Sequence, residues 1–236
     1  EQEMPDGNFS TVRSPNPEEK DALTIAIEKA KEIGADLVLG TDPDCDRVGI
    51  AVLTNGEYVL LSGNDVGVLL TEYMLSARKE KGTLPENPAM TKSFVSTPLV
   101  DKVAAKYGCK VTDVLTGFKY VGEFISNLEN EDRFIMGFEE SYGYLIGTHA
   151  RDKDGVAASL MVCEMAAYYK IKGKTLVDVL NDIYSEHGNC VDKLYNFVFE
   201  GASGMAKMSE IMNETRENPP SELAGLKVLK VRDFEA

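Results

Sequence analysis

Apolar side chains recur every three or four residues between positions 18 and 33, with Leu23 and Ile27 on one helical face. This spacing predicts an amphipathic helix, and Gly34 is the kind of residue at which such helices end. The next run, residues 35–40, is short and predominantly apolar, which is typical of a buried strand. The pattern indicates mixed α/β structure from the start.

Two further apolar runs, residues 48–53 and 58–61, are separated by a turn at Asn55-Gly56. An Asn-Gly pair between two apolar runs favours a two-residue hairpin turn, because both positions tolerate positive φ. The two runs should therefore pair as antiparallel strands.

From residue 61 onward, helical and strand-like patterns alternate. Predicted helices cover residues 64–79, 98–107, 120–128, 155–170, 175–187 and 205–217, with Asn64 or Asp65 as the first cap. Predicted strands cover residues 91–95, 110–115, 133–138, 194–199 and 226–231, and a long polar loop follows residue 138. We therefore expect an α/β protein with consecutive open mixed sheets flanked by helices. One strand–helix–strand unit at the end is too little for a domain, so we expect both chain ends to be truncations.

Charge and cysteine usage narrow the function classes. Lys and Arg total 25 against 39 Asp and Glu, a net charge of −14. Such a surface repels phosphate backbones and anionic lipids, so we expect neither a nucleic-acid nor a membrane partner. No apolar run approaches the roughly 20 residues that span a bilayer. Four scattered cysteines without a Cys-x-x-Cys pair fit a cytoplasmic location, and oligomeric state is not predicted.

Three carboxylates at alternate positions, Asp42, Asp44 and Asp46, directly follow the predicted strand 35–40. Like charges so close together repel unless a divalent cation neutralises them, and carboxylate oxygens suit Mg²⁺ or Ca²⁺. The alternative is a solvated acidic turn, whereas an EF-hand is excluded because Arg47 occupies the position that needs glycine. A guanidinium beside a metal indicates a shared anionic ligand, most simply a phosphoryl group.

Two other loops also follow predicted strands. Glu139 and Ser141 come after strand 133–138, and a carboxylate with a hydroxyl suits recognition of adjacent sugar hydroxyls; the alternative is a polar turn with a capping serine. Lys119 follows strand 110–115 and offers a cation or a proton, unless it is simply exposed to solvent.

A locally basic patch stands out in this acidic chain. It consists of His149, Arg151 and Lys153. Positive charge against the overall balance favours phosphate binding, although a loop can also be basic by chance.

Four loops together resemble those of the α-D-phosphohexomutases, the phosphoglucomutase and phosphomannomutase family. Residues 40–47 (Gly-Thr-Asp-Pro-Asp-Cys-Asp-Arg) resemble its metal loop, and residues 116–119 (Thr-Gly-Phe-Lys) resemble its third-domain lysine loop. Residues 137–143 (Gly-Phe-Glu-Glu-Ser-Tyr-Gly) resemble its sugar-recognition loop, and residues 149–155 (His-Ala-Arg-Asp-Lys-Asp-Gly) resemble the stretch after it. Pro43 replaces a glycine common in the family, as in the branch with bacterial phosphoglucomutases and phosphopentomutase-type enzymes.

The resemblance implies a division of the chain. Residues 1–60 would be the C-terminal part of the second of four domains, residues 61–190 the third domain, and residues 191–236 the truncated start of the fourth. The family's nucleophilic serine lies in a first-domain loop that has no counterpart in this sequence. The catalytic serine is therefore expected outside this chain, which by itself should be inactive.

The resemblance also implies a mechanism. A phosphoserine donates its phosphoryl group to a hexose phosphate, and the hexose 1,6-bisphosphate turns over and returns the other group. The three aspartates would hold Mg²⁺, Arg47 would bind phosphoryl oxygens, and Lys119 would manage a proton or contact substrate. The remaining residues implied to bind substrate are Glu139, Ser141, His149, Arg151 and Lys153.

Phosphoglucomutase activity is the expected reaction, with phosphomannomutase or phosphopentomutase activity as alternatives within the family. A haloacid-dehalogenase-type phosphatase also places Asp-x-Asp after a buried strand, with Asp42 as nucleophile. A non-catalytic sugar-phosphate binder is the third possibility.

Overall fold

A computed structural model describes residue 2, residues 4–193, residue 195 and residues 197–233. The chain forms two compact units, Glu1–Asp192 and Lys193–Ala236. The strand predicted at 194–199 includes Leu194 and Asn196, which lie outside the described residues, and Phe197 to Phe199 have no regular secondary structure.

The larger unit alternates helices and strands along most of its length. Its helices are α1 (Thr24–Ile33), α2 (Gly63–Glu80), α3 (Leu99–Ala105), α4 (Phe118–Ser126), α5 (Gly155–Ile171) and α6 (Leu176–His187), with 3-10 turns at Lys20–Leu23 and Glu131–Arg133. Its strands are β1 (Leu37–Thr41), β2 (Val48–Thr54), β3 (Glu57–Leu61), β4 (Ala89–Ser93), β5 (Lys110–Val114), β6 (Phe134–Phe138) and β7 (Tyr144–Ile146).

The first sheet has the strand order β1-β2-β3, and both of its pairings are antiparallel. Asn55 and Gly56 connect β2 to β3 with φ of 50° and 83°, which confirms the predicted hairpin turn. Helix α1 lies against this sheet through a small apolar cluster that includes Ala30, Val38 and Ala51. Gly34 ends α1 in the left-handed conformation with φ of 67°, as predicted.

The second sheet has the order β5-β4-β6-β7, with β5, β4 and β6 parallel and β7 antiparallel to β6. A main core joins this sheet to helices α2, α3, α5 and α6 and to the first sheet; Leu69, Met90, Met136 and Met165 are among its fully buried side chains. The expected α/β architecture of open sheets flanked by helices is confirmed.

Some element boundaries were predicted wrongly. Helix α2 is capped by Ser62 rather than by Asn64 or Asp65, because the Ser62 side chain accepts from the Asp65 backbone while the Asp65 carboxylate accepts from the Ser62 backbone. Strand β7 was missed within the polar loop after residue 138. It has three residues between Gly143 and Gly147, too few for an alternating pattern.

The smaller unit contains helix α7 (Gly201–Glu217) and a two-stranded hairpin of β8 (Glu222–Leu223) and β9 (Leu226–Lys227). The strand predicted at 226–231 is shorter than expected and consists of β9 alone, because its partner β8 offers only two residues for pairing. Within the described part of the chain, no helix combines the length and the apolar character needed to cross a membrane.

Candidate functional site

The aspartate loop, residues 42–47, connects β1 to β2. Thr41 pairs with Val48 across the base of the loop. The loop is therefore the tip of an antiparallel hairpin. It follows the carboxyl end of β1 as expected, but its position is set by hairpin closure and not by the edge of a parallel sheet. Cys45 takes the left-handed conformation with φ of 58°, which tightens the turn.

The carboxylates of Asp42, Asp44 and Asp46 converge in this loop. One oxygen from each lies within 4.8 Å of the others. Asp42 is 4% exposed, Asp46 is half-buried and Asp44 is open to solvent. Ligands about 2.1 Å from Mg²⁺ are at most about 4.2 Å apart, so small side-chain rotations would bring these oxygens to a single cation. The donor set therefore fits a hard divalent metal.

Asp42 is the most tightly held of the three carboxylates. Its Oδ1 accepts from the backbone N–H groups of Asp46 and Arg47 at 3.1 and 3.0 Å, and its Oδ2 accepts from Arg47 Nε at 2.7 Å. Burial by itself would raise the pKa of Asp42, but the bonds from Arg47 outweigh it and hold the pKa below its ordinary value. Asp42 therefore stays ionised and fixed in orientation.

Asp46 lies between charges of both signs. Its Oδ2 is 2.9 Å from Lys153 Nζ. Burial and the neighbouring Asp42 raise the pKa of Asp46, while Lys153 opposes that shift. A Cβ at Gly143 would lie 2.3 Å from Lys153 Cδ, so glycine leaves the path of this lysine open.

Arg47 links the aspartates to the segment before α1. Besides its bond to Asp42, its Nε lies 3.6 Å from Asp46 Oδ1. Its Nη1 lies 3.5 Å from Glu18 Oε1 and 3.5 Å from Asn16 Oδ1. Glu18 and Asn16 were not predicted at the site, because nothing local in the sequence marks residues about 30 positions away as partners of Arg47.

Backbone hydrogen bonds join the aspartate loop to two other loops. The Val48 N–H donates to the carbonyl of Tyr142 at 3.1 Å, and Arg47 forms an isolated β-bridge with Gly143. The Gly155 N–H donates to the carbonyl of Cys45 at 3.0 Å. The structure thus brings together the aspartate loop, the segment 139–143 (the glutamate loop) and the start of α5.

Glu139 begins the glutamate loop and is 8% exposed. Its Oε1 accepts from the Gly117 N–H at 2.6 Å, so it adjoins the loop that carries Lys119. Lys119 is exposed at the start of α4, with its Nζ 4.8 Å from the centre of the Tyr120 ring. Ser141 is half-buried in the glutamate loop.

The three basic residues predicted together separate in the structure. Lys153 contacts Asp46, whereas the Nε2 of His149 lies 2.7 Å from an oxygen of Asp154. Arg151 donates from Nη2 to both carboxylate oxygens of Glu131 at 2.7 Å. Of these three residues, Lys153 is the one placed at the aspartate loop.

Comparison with known proteins shows which family models match the chain. Residues 1–56 match the family model "Phosphoglucomutase/phosphomannomutase, alpha/beta/alpha domain II". Residues 62–187 match the model "Phosphoglucomutase/phosphomannomutase, alpha/beta/alpha domain III".

Individual relatives agree with these models. A phosphoglucomutase of Staphylococcus epidermidis is 42% identical over 232 residues, which cover 98% of this chain and 42% of that protein. A Thermus thermophilus protein assigned as a phosphomannomutase superposes with a TM-score of 0.58 at 25% identity, covering 79% of this chain and 40% of that chain. The Paramecium phosphoglucomutase parafusin shares the fold, with a TM-score of 0.56 at 21% identity over 86% of this chain and 35% of its own. The chain spans less than half the length of the curated relatives it matches. The family models and these relatives show that the chain belongs to the phosphoglucomutase/phosphomannomutase family.

Proposed function

We propose that the enzyme containing this chain is a phosphoglucomutase, which interconverts hexose 1-phosphate and hexose 6-phosphate through a phosphoserine and a hexose 1,6-bisphosphate. The identity of 42% with a named phosphoglucomutase supports this reaction over the mannose and pentose alternatives. The observation that carries the proposal is the backbone connection between the aspartate loop and the glutamate loop at Arg47 and Gly143. If the aspartates hold a cation and Glu139 holds a sugar, that connection would keep the two groups side by side, which supports the proposal.

The proposal includes the domain division and the setting of the enzyme. Residues 1–60 would belong to the second domain, residues 61–190 to the third and residues 191–236 to the fourth, with the nucleophilic serine elsewhere in the enzyme. The matches at 1–56 and 62–187 support the first two assignments. A cytoplasmic location and hexose phosphates as partners complete the proposal.

Asp42, Asp44 and Asp46 are the residues proposed to hold Mg²⁺. When bound, the metal would offset negative charge on the phosphoryl group that is transferred. Both oxygens of Asp42 accept hydrogen bonds from Arg47 or the loop backbone, which favours a fixed ligand over a nucleophile. The phosphatase alternative, which needs Asp42 as nucleophile, is disfavoured for that reason.

The cationic side chains around the aspartates are proposed to hold the phosphoryl oxygens. Arg47 already has Nε fixed by Asp42, so its guanidinium is oriented before a phosphate arrives. Burial would lower the pKa of Lys153, but its bond to Asp46 reverses the direction and raises the pKa. Lys153 therefore remains a charged donor at neutral pH. Lys119, His149 and Arg151 stay candidates for substrate contact.

Glu139 and Ser141 are proposed to bind sugar hydroxyls. Glu139 uses Oε1 to accept from Gly117, which orients the carboxylate and leaves Oε2 available as an acceptor. Because the intermediate has to be held in two orientations, acceptors and donors that tolerate exchanged hydroxyls suit this role.

We expect Glu139→Gln to lower kcat/KM of the complete enzyme about 10- to 100-fold. The amide keeps the size of the side chain but removes the charge, and a charged hydrogen bond in a desolvated site contributes about 1.5–3 kcal/mol. Steady-state kinetics with glucose 1-phosphate and mannose 1-phosphate measure the loss. Unchanged values for both substrates would remove Glu139 from the site.

We expect this chain by itself to show only background turnover of glucose 1-phosphate with Mg²⁺ and glucose 1,6-bisphosphate. A nucleophile has to lie within a few ångströms of the transferring group, and misplacing it is costly. Ser93 and Ser96 are buried, and Ser62 caps α2. The complete enzyme under the same conditions is the control. Clear turnover by the chain of 236 residues would place the nucleophile within it and contradict the proposal.

The test of the proposed function is an assay of the complete enzyme against glucose, mannose and pentose 1-phosphates. A preference for glucose 1-phosphate is expected, together with phosphate incorporation on a serine. Phosphate trapped on Asp42 instead would establish the phosphatase alternative, and binding without turnover would establish a sugar-phosphate binder.

A further inference from the structure

We propose that Glu140 is a positioning residue, which fixes the glutamate loop so that Glu139 and Ser141 face the sugar. The inference rests on the proposed function. Glu140 follows Glu139 directly, yet its side chain engages a different part of the fold. Glu139 accepts from Gly117, whereas Glu140 contacts Ser93 at the end of β4 and Ser96 just beyond it.

Two buried hydroxyls hold the Glu140 carboxylate. Ser93 Oγ donates to Glu140 Oε2 at 2.7 Å, and Ser96 Oγ lies 3.3 Å from the same oxygen. The two serine oxygens are 2.7 Å apart, so with Ser93 donating to Glu140 the single proton of Ser96 goes either to Ser93 or to the same carboxylate oxygen. Ser93 is fully buried and Ser96 is 3% exposed, so water does not readily replace these bonds.

The turn that carries the serines is itself held from two sides. Lys92 Nζ donates to the carbonyl of Ser96 at 3.4 Å and to Asp113 at 2.6 Å, which ties the turn to β5. The Thr97 N–H donates to Asn64 Oδ1 at 3.0 Å, which ties it to the start of α2. The turn that anchors Glu140 is therefore held to β5 and to α2 by side-chain hydrogen bonds.

The backbone of the glutamate loop packs on the first residue of α2. A Cβ on Gly63 would lie 2.1 Å from the carbonyl oxygen of Glu140 and 2.9 Å from the Tyr142 nitrogen. The Tyr144 hydroxyl donates to the Gly63 carbonyl at 3.2 Å from the adjoining strand. Glu140 is thus fixed through its side chain and its backbone. Because Glu139 and Ser141 are its direct neighbours in the chain, these contacts also restrict their positions.

The serine hydroxyls require an acceptor at residue 140, and a neutral amide oxygen can serve. A glutamine at residue 140 therefore distinguishes two roles. It should preserve positioning, which needs only an acceptor, but impair direct substrate contact, which would need the negative charge. Three variants of the complete enzyme test the difference: Glu140→Ala, Glu140→Gln and, as a matched control on an exposed carboxylate, Glu129→Ala.

We expect Glu140→Ala to raise KM for glucose 1-phosphate about 10-fold with kcat changed less than about 3-fold, since the lost contact is one of binding. Glu140→Gln should restore KM to within about 3-fold of the wild type, and Glu129→Ala should match the wild type. Hydrogen exchange at the amides of Glu139 and Val48, which bond to Gly143 and Tyr142, should become about 10-fold faster in Glu140→Ala and not in Glu140→Gln.

Two results would overturn the proposal. Equal damage from alanine and glutamine would show that the charge and not the serine contact matters. Unchanged KM and exchange in Glu140→Ala, even with a lower melting temperature, would show a merely structural role. A wild-type enzyme without mutase activity would refute the proposed function, and the exchange rates would then decide by themselves whether Glu140 holds the loop.

Discussion

Asp44→Asn in the complete enzyme is expected to lower kcat/KM by about 100-fold or more and to raise the Mg²⁺ concentration needed for half-maximal activity. Loss of a metal ligand removes both affinity and charge stabilisation, each of which contributes severalfold to hundredfold effects. Asp44 is the most informative of the three aspartates because its side chain is exposed. A solvated acidic turn would tolerate the same substitution without consequence.

The matched control for Asp44→Asn is Asp132→Asn, the same change on an exposed aspartate outside the aspartate loop and the glutamate loop. Kinetics at several Mg²⁺ concentrations separate weaker metal binding, which excess Mg²⁺ rescues, from loss of function at saturation. If Asp44→Asn behaves like Asp132→Asn at every Mg²⁺ concentration, the aspartate loop does not hold the metal through Asp44.

Gly155→Ala is expected to lower the free energy of unfolding by about 1–3 kcal/mol, as inserted atoms do in tightly packed sites. A Cβ at this position would lie 2.6 Å from the carbonyl oxygen of Cys45 and 3.1 Å from that of Arg47, and neither backbone atom can rotate away. Chemical denaturation measures the change. Helix propensity alone predicts the opposite sign, because alanine is favoured over glycine in a helix by about 1 kcal/mol.

Gly7→Ala provides the comparison, since no atom lies within 4 Å of the position of its added Cβ. It should change stability by less than about 0.5 kcal/mol. Stabilisation in Gly155→Ala would show that the aspartate loop yields easily at Cys45, and the close approach would not be a constraint.

Local chemistry made much of the fold predictable. The Asn55-Gly56 turn and the stop at Gly34 depend on backbone preferences of the residues themselves, so the sequence pattern was sufficient. The antiparallel pairing of β1 with β2 was not predicted, because six intervening residues do not determine how a loop closes. Ser62 was overlooked as the cap of α2 because Asn64 and Asp65 are equally good capping residues.

At the candidate site, too, local features were predictable from the sequence and contacts between distant residues were not. The three aspartates and Arg47 lie within six consecutive residues, so their spacing alone predicted a cluster of carboxylates. Contacts between distant segments had no such signal: Glu18 reaches Arg47 from before α1. The sequence grouped Arg151 with Lys153 because both are basic and close together in the chain. In the structure Arg151 binds Glu131, 20 residues away, and does not contact Asp46 as Lys153 does. The assignment of functions to these residues stays a prediction until the variants are measured.

The bridge between Arg47 and Gly143 affects how the aspartate loop and the glutamate loop of this chain tolerate mutation. Because main-chain atoms join the loops, the hydrogen bonds from Val48 to Tyr142 and from Gly155 to Cys45 do not use the side chains of Tyr142 or Cys45. A single-residue insertion between Asp42 and Arg47 is a different event, since it would displace every backbone partner by one position. We expect point substitutions that keep the backbone conformation to preserve the spacing between the aspartate loop and the glutamate loop, whereas insertions and deletions in the aspartate loop should change it.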